Sequence, residues 1–151
     1  DSLAIVPHWD FENTLDVGTG AGFPGLPLAI SLPDQKFTLL DSNSKKIRFI
    51  RQQIHHLGLE NVTAVHSRLQ EHQPDDYDCI VSRAFASLTD MVNWSAHLMT
   101  DKGYWMAMKG QFDRSEINEL PEFAHFEAHY QLEVPGLKAD RCLIKLSKRN
   151  D

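Results

Sequence analysis

The sequence predicts a single α/β domain built on a mainly parallel seven-stranded sheet with an antiparallel pair at its carboxy-terminal edge. Three observations carry that expectation. Short apolar β-rich runs alternate with helix-length stretches along the chain, the order that produces parallel strands covered on both faces. Two late strands follow each other too closely for a helical crossover, so they must pair antiparallel. The chain has 151 residues, 42% of them apolar and 24% charged, enough for one core and little more. No linker or internal repeat divides it, so the expected domain is residues 1–151.

Residues 14–17 (TLDV) read as a strand running straight into glycines, followed by an apolar helix around 26–32. A second strand at 36–40 (KFTLL) ends at Asp41. The clearest helix covers 43–57, where Ile47, Ile50, Ile54 and Leu57 recur at the spacing of one buried face. Ser42 or Asn43 can cap its start, and Gly58 stops it. Residues 62–65 and 79–81 are the third and fourth strands. A helix over 88–99 carries Leu88, Met91, Val92, Ser95 and Leu98 on one stripe. Residues 104–108 form the fifth strand, 113–120 a helix, and 126–134 and 142–146 the late pair, with Pro135-Gly136 as the turn.

Composition excludes several classes. No apolar run approaches the roughly 20 residues of a membrane-spanning helix, and there is no low-complexity tract or cysteine framework. Cys79 and Cys142 each sit in an apolar strand without a ligand partner at metal spacing, so two buried reduced thiols are expected and no metal. The chain opens at Asp1 with no secretory leader, so a preceding segment is expected. The formal charge is -6, from 15 Lys plus Arg against 21 Asp plus Glu, a total that argues against a polyanionic partner.

The segment Asp16-Val-Gly18-Thr-Gly20-Ala-Gly22-Phe23-Pro-Gly25 follows a strand and opens a helix, the setting in which a glycine loop binds a ligand. A dinucleotide loop would need glycine where Phe23 stands. Pro24 and Pro27 also remove amides that would hold a pyrophosphate. A ligand without phosphates, such as S-adenosylmethionine, suits the loop better. Asp41 is placed to accept from ribose hydroxyls, or alternatively to cap the following helix. Asp16 can bind the ligand's ammonium through water or hold the loop.

DVGTGAGFPGLPLAI, LLDSNSKKIRFIRQ, SRAFASL and MKG together resemble the bacterial small-subunit (16S) rRNA guanine-N7 methyltransferases, the glucose-inhibited division protein B or RsmG family. The resemblance runs from about Asp1 to the carboxyl terminus. It implies a Rossmann-like class I S-adenosylmethionine-dependent methyltransferase, acting as a monomer in the cytoplasm on 16S rRNA or the small ribosomal subunit. It also implies an additional helical segment before Asp1. By resemblance, cofactor contacts fall on Gly18, Phe23, Leu69, Gln70 and Arg83; the loop and spacing arguments add Gly20 and Asp41.

Guanine N7 carries a free lone pair and no proton, so its methylation needs position rather than a general base. The sequence fits that demand. It lacks the Asn/Asp-Pro-Pro-aromatic motif used on exocyclic amines, having Ser82-Arg83-Ala84-Phe85 there instead, and its cysteines lie inside strands rather than near the site. For RNA, Lys45, Lys46, Arg68, Arg83 and Lys109 are the candidate ligands, with Arg48 and Arg51 extending the basic stretch. Phe85 could stack on a flipped-out base or fill the core.

Rival readings are an NAD(P)-binding oxidoreductase, a non-catalytic RNA-binding module and a small-molecule methyltransferase. Charge distribution bears on them. Residues 36–51 hold five basic side chains (Lys36, Lys45, Lys46, Arg48, Arg51) against Asp41, while residues 113–133 hold six acidic ones against Arg114. A net charge of -6 is therefore compatible with local RNA docking.

Overall fold

The computed structural model of the chain describes residues 2–74, 76–83, 87–133 and 141–149. Seven strands form one sheet: β1 (Asn13–Val17), β2 (Lys36–Asp41), β3 (Val62–His66), β4 (Tyr77–Arg83), β5 (Met99–Lys109), β6 (Ala124–Leu132) and β7 (Arg141–Lys148). Their order is β3-β2-β1-β4-β5-β7-β6. The pairs from β3 through β5 are parallel, and β7 runs antiparallel between β5 and β6. The expected carboxy-terminal pair is present, with the last strand inserted on the inner side. Burial explains that order. Cys142, Leu143 and Ile144 are all buried and need cover on both faces, whereas β6 alternates and tolerates the edge.

Helices α1 (Gly25–Ser31) and α2 (Ser44–Leu57) cover one face; α3 (Leu88–Ser95) and α4 (Arg114–Asn118) cover the other. The core is accordingly split by the sheet. Leu28, Ile47 and Ile50 pack with Leu39, Val81 and Met106 on one side. Leu88, Met91 and Val92 pack with Leu15, Ile80 and Trp105 on the other. Consecutive residues such as Leu39 and Leu40 serve opposite cores, which is why these strands read as continuous apolar runs.

The second helix matches its sequence signals closely. Asn43 Oδ1 accepts from the amides of Lys45 and Lys46 at 3.0 and 3.2 Å, so Asn43 is the cap. Gly58 takes a left-handed φ of 62°, and the Leu59 amide reaches back to the Ile54 carbonyl at 3.1 Å. Leu57 departs from expectation, being 54% exposed. The chain reverses at Gly58, and Leu59 instead of Leu57 returns to the core.

The third helix ends earlier than residue 99. It stops at Ser95, a single 3-10 turn follows (Ala96–Leu98), and Met99 already belongs to β5. Lys148 Nζ donates to the Ala96 and Met99 carbonyls at 2.9 and 3.0 Å, capping this break from across the sheet. The predicted stripe Leu88, Met91, Val92, Ser95 and Leu98 is buried throughout. The strand at 104–108 proves longer, because Met99 pairs with Tyr77 before the ladder passes Gly103. The helix predicted at 113–120 is shorter, and 3-10 turns at Ser2–His8 and Leu69–Glu71 are additional. Both cysteines are buried and unbridged. The Pro135-Gly136 turn and Phe85 lie outside the described residues.

The connections leave β1 toward β2 and β3 in one direction and continue from β4 in the other. Strand order reverses between β1 and β4, and the crevice beyond their carboxyl ends is where open α/β sheets bind ligands.

Candidate functional site

The glycine loop hangs from two aspartates at the ends of adjacent strands. Asp16 Oδ2 accepts from Thr19 Oγ1 at 2.8 Å and from the Gly25 amide at 2.9 Å. Asp16 is fully buried, and its Oδ1 has no hydrogen-bond partner among the described residues. Burial pushes its carboxyl up to about 7, against the downward pull of Thr19, Gly25 and the Arg83 charge. Of its two expected roles, the one visible in these contacts is holding the loop. Gly25 is required by close approach: a Cβ there would lie 2.8 Å from Asp16 Oδ2 and 2.7 Å from Leu39 Cδ1.

Asp41 sits one strand away and is 9% exposed. Its Oδ2 accepts from the Gly20 amide and its Oδ1 from the Asn43 amide, each at 2.9 Å. It does not cap α2, a task Asn43 performs. A carboxylate offers about four acceptor positions, so both oxygens retain room for a ligand hydroxyl. The amides of Gly18 and Thr19 both donate to the Leu40 carbonyl, at 2.9 and 3.1 Å, pinning the loop over β2.

The start of α1 is spent internally. The Gly25 amide serves Asp16, the Leu26 amide donates to Gly22 O at 2.7 Å, and Pro24 and Pro27 have none. A pyrophosphate would find no fan of free amides there, which disfavours the oxidoreductase reading.

Beyond the ends of β1, β2 and β3 lies a cavity of about 360 Å³, lined by Val17, Gly18, Leu40, Asp41, Ser42, Ser67, Arg68, Leu69, Gln70 and Trp94. That volume falls within the range of about 300–1,000 Å³ typical of small-ligand sites. A Cβ on Gly18 would meet nothing within 4 Å, and Gly18 holds a φ of 67°, so the loop is shaped to leave this space open.

The structure sorts the predicted cofactor residues into two groups. Gly18, Asp41, Leu69 and Gln70 share the cavity, and Gly20 braces Asp41 from behind. Phe23 and Arg83 stand apart from its lining and stack on each other, with the guanidinium carbon 5.5 Å from the ring centroid. Phe23 is 40% exposed, so the pair is open to solvent.

The RNA candidates also separate. Lys45 and Lys46 are exposed in the first turn of α2. Arg68 lines the cavity itself. Lys109 ends β5 as expected, but its Nζ is paired with Glu116 Oε1 at 3.2 Å, and it would have to leave that carboxylate to take a phosphate. Arg51 donates to the Ala64 carbonyl at 3.2 Å and so covers the edge strand β3.

Sequence reasoning missed Trp94, which is 42% exposed and closes one wall of the cavity. Its signal was available: a large aromatic off the buried stripe of an amphipathic helix. Ser42 and Ser67 were also missed, and their types carry no such signal.

The family model for rRNA small subunit methyltransferase G, GidB, matches residues 1–144. This chain belongs to that family. Ribosomal RNA small subunit methyltransferase G of Alteromonas mediterranea is 50% identical over 99% of this chain and 71% of its own length. The protein of the same name from Hydrogenovibrio crunogenus is 51% identical over 98% of this chain and 69% of its length. Among solved structures, a SAM-dependent methyltransferase from Aquifex aeolicus superposes with a TM-score of 0.75 at 18% identity, covering 97% of this chain and 89% of that one. At that identity the likeness speaks to the fold alone. It is the fold expected of the methyltransferase G family from the sequence: a Rossmann-like sheet with its crevice at the β1/β4 switch.

Proposed function

We propose that this chain transfers a methyl group from S-adenosylmethionine to N7 of a guanosine in 16S rRNA of the small ribosomal subunit, acting as one domain and as a monomer in the cytoplasm. The observation that carries the reading is the cavity framed by Gly18, Asp41 and Leu69-Gln70, beside a loop whose amides are spent internally, in a chain of the methyltransferase G family. Bound there, the cofactor supplies an electrophilic methyl on a sulfonium.

The residues do the rest by position. Asp41 offers its remaining lone pairs to ribose hydroxyls, and Trp94 and Leu40 give the cavity apolar walls against an adenine face. Gly18 keeps the floor free of side chain. Arg83, steadied on the Phe23 ring, holds a fixed cation at the rim, where it can meet the cofactor's carboxylate or a guanine edge. Lys45 and Lys46 bring the RNA backbone to the cavity mouth. No side chain is needed to remove a proton, since N7 has none. The two strongly perturbed groups fit that economy: Asp16 is walled off beneath the loop, and burial holds the Cys79 thiol neutral.

No helix among the described residues is long and apolar enough to cross a membrane, and no group of His, Cys, Asp or Glu among them could hold a metal ion. The test is tritiated methyl transfer to intact 30S particles and to naked rRNA, with the modified base mapped. Label at guanine N7 of 16S rRNA is expected. Label on another atom, or S-adenosylmethionine binding without transfer to either substrate, would overturn the reading.

A further inference from the structure

Helix α2 is amphipathic in an unusual sense. Its inner face is apolar, but its outer face carries an aromatic ring set among cations and amides. Phe49 follows buried Ile47 by two residues, a rotation of about 200°, and is 45% exposed. Its neighbours one turn away are Lys45 and Lys46 on one side and Gln52 and Gln53 on the other. No acidic residue occurs from Ser42 to Leu59, and the first turn carries lysines where the helix dipole favours carboxylates. A solvated helix face gains nothing from an exposed phenylalanine, and two lysines at an amino terminus oppose the dipole. Both features make sense against one kind of partner, a polyanion with flat apolar faces.

We propose that the outer face of α2 is a docking track for single-stranded rRNA, with Phe49 the platform on which an unpaired base stacks. This rests on the proposed function and names a surface of its substrate complex outside the cofactor cavity. The geometry connects the two. Asn43 fixes the first turn beside Asp41 and Ser42 at the cavity wall, so Lys45 and Lys46 follow directly from the Asp41–Ser42 side of the cavity. Phe49 lies one turn further, about 6 Å along the axis from Lys45. RNA flanking the target nucleotide would then lose phosphate counterions to the lysines and place a neighbouring base on the ring. Stacking accepts any base, and the amides of Gln52 and Gln53 add hydrogen bonds to base edges. The track therefore supplies affinity and register, while the target is chosen at the cavity.

The test uses the full-length chain, a short labelled single-stranded RNA and naked 16S rRNA, with S-adenosylmethionine affinity measured in parallel. Phe49→Leu should weaken RNA binding by about five- to a hundredfold, and Phe49→Trp should restore it, because stacking needs a π-face. The salt slope should be unchanged in Phe49→Leu and should fall by about 0.7 in Lys45→Gln, which removes one phosphate contact. Leu57→Ala, which trims the exposed apolar residue at the far end of the same helix, should leave RNA affinity as it is. Cofactor affinity should hold in all four variants. Wild-type RNA affinity in Phe49→Leu, with methyl transfer by the wild-type chain intact, would sink the platform and leave the proposed function standing. Parallel losses of melting temperature and cofactor affinity in Phe49→Leu would also overturn it, marking the ring as a packing element. A wild-type chain that neither binds nor methylates RNA would remove both.

Discussion

The amino-terminal half of the sheet, β1 to β3 with α1 and α2, and the carboxy-terminal half, β5 to β7 with α4, share a core but not a chemistry. The first half ends its strands in glycines and aspartates, turns backbone amides inward onto Asp16, Asp41 and Leu40, and leaves a cavity. The second half closes on itself. Lys109 pairs with Glu116, Lys148 caps Ala96 and Met99, and Phe112 packs against Phe126 with ring centroids 5.7 Å apart. The basic stretch of residues 36–51 lies in the first half and the acidic stretch of residues 113–133 in the second. The cavity belongs mainly to the first half, and the second completes the fold. Between them, α3 contributes Trp94 to the cavity wall, and β4 carries Arg83, which stacks on Phe23.

If that division is right, substitutions should differ in kind as well as size. The largest effect is expected at Gly18→Val. A branched residue at a φ of 67° is strained and projects into the cavity, so S-adenosylmethionine binding measured by calorimetry should disappear. Retained affinity would mean that the cavity is not the cofactor site. Arg83→Ala comes next. The side chain is exposed, so the melting temperature should barely move while methyl transfer falls by about a hundredfold, the scale of a mispositioned reactant. Wild-type turnover would remove Arg83 from the site.

A subtler contrast separates the two aspartates within the first half. Asp16 in the folded chain releases its proton near 7, well above the unfolded value of 3.8. Between those values the folded state holds a proton that the unfolded state has lost, so this stabilisation is complete below about 4 and is lost as pH rises through about 7. Denaturant midpoints should therefore fall between pH 5 and pH 8 in the wild type and fall less in Asp16→Asn. Equal slopes would show that Asp16 is ionised beneath the loop throughout. The smallest effect is expected in the second half. Glu116→Gln should cost less than about 1 kcal/mol, as partly exposed pairs do, and leave RNA affinity unchanged. A gain in RNA affinity would instead return Lys109 to phosphate docking.

What the sequence discloses and what it hides follows the range of the interactions. The second helix is legible almost to the residue because its signals are local: apolar spacing, Asn43 at the start and Gly58 at the end. The glycine loop is legible because Phe23, Pro24 and Pro27 bear directly on which ligand the backbone can hold. The start of β5 is not, since Thr-Asp-Lys-Gly carries no strand pattern of its own and its place is set by Met99 pairing with Tyr77 across the sheet. The stack of Arg83 on Phe23 joins residues sixty positions apart, and the Lys109–Glu116 pair depends on where α4 lands. Arg68 illustrates the same limit. Its charge suggested RNA, and only the 3-10 turn that begins at Leu69 places it in the cavity wall.

In the proposed function, S-adenosylmethionine sits at the ends of β1 and β2 with Asp41 on its ribose. Calorimetric titration of the cofactor into wild type and Asp41→Ala tests it most directly. Loss of charged hydrogen bonds to the ribose, each worth about 1.5–3 kcal/mol, predicts affinity lower by at least tenfold in the variant. Equal affinity in the two proteins would take Asp41 off the ribose.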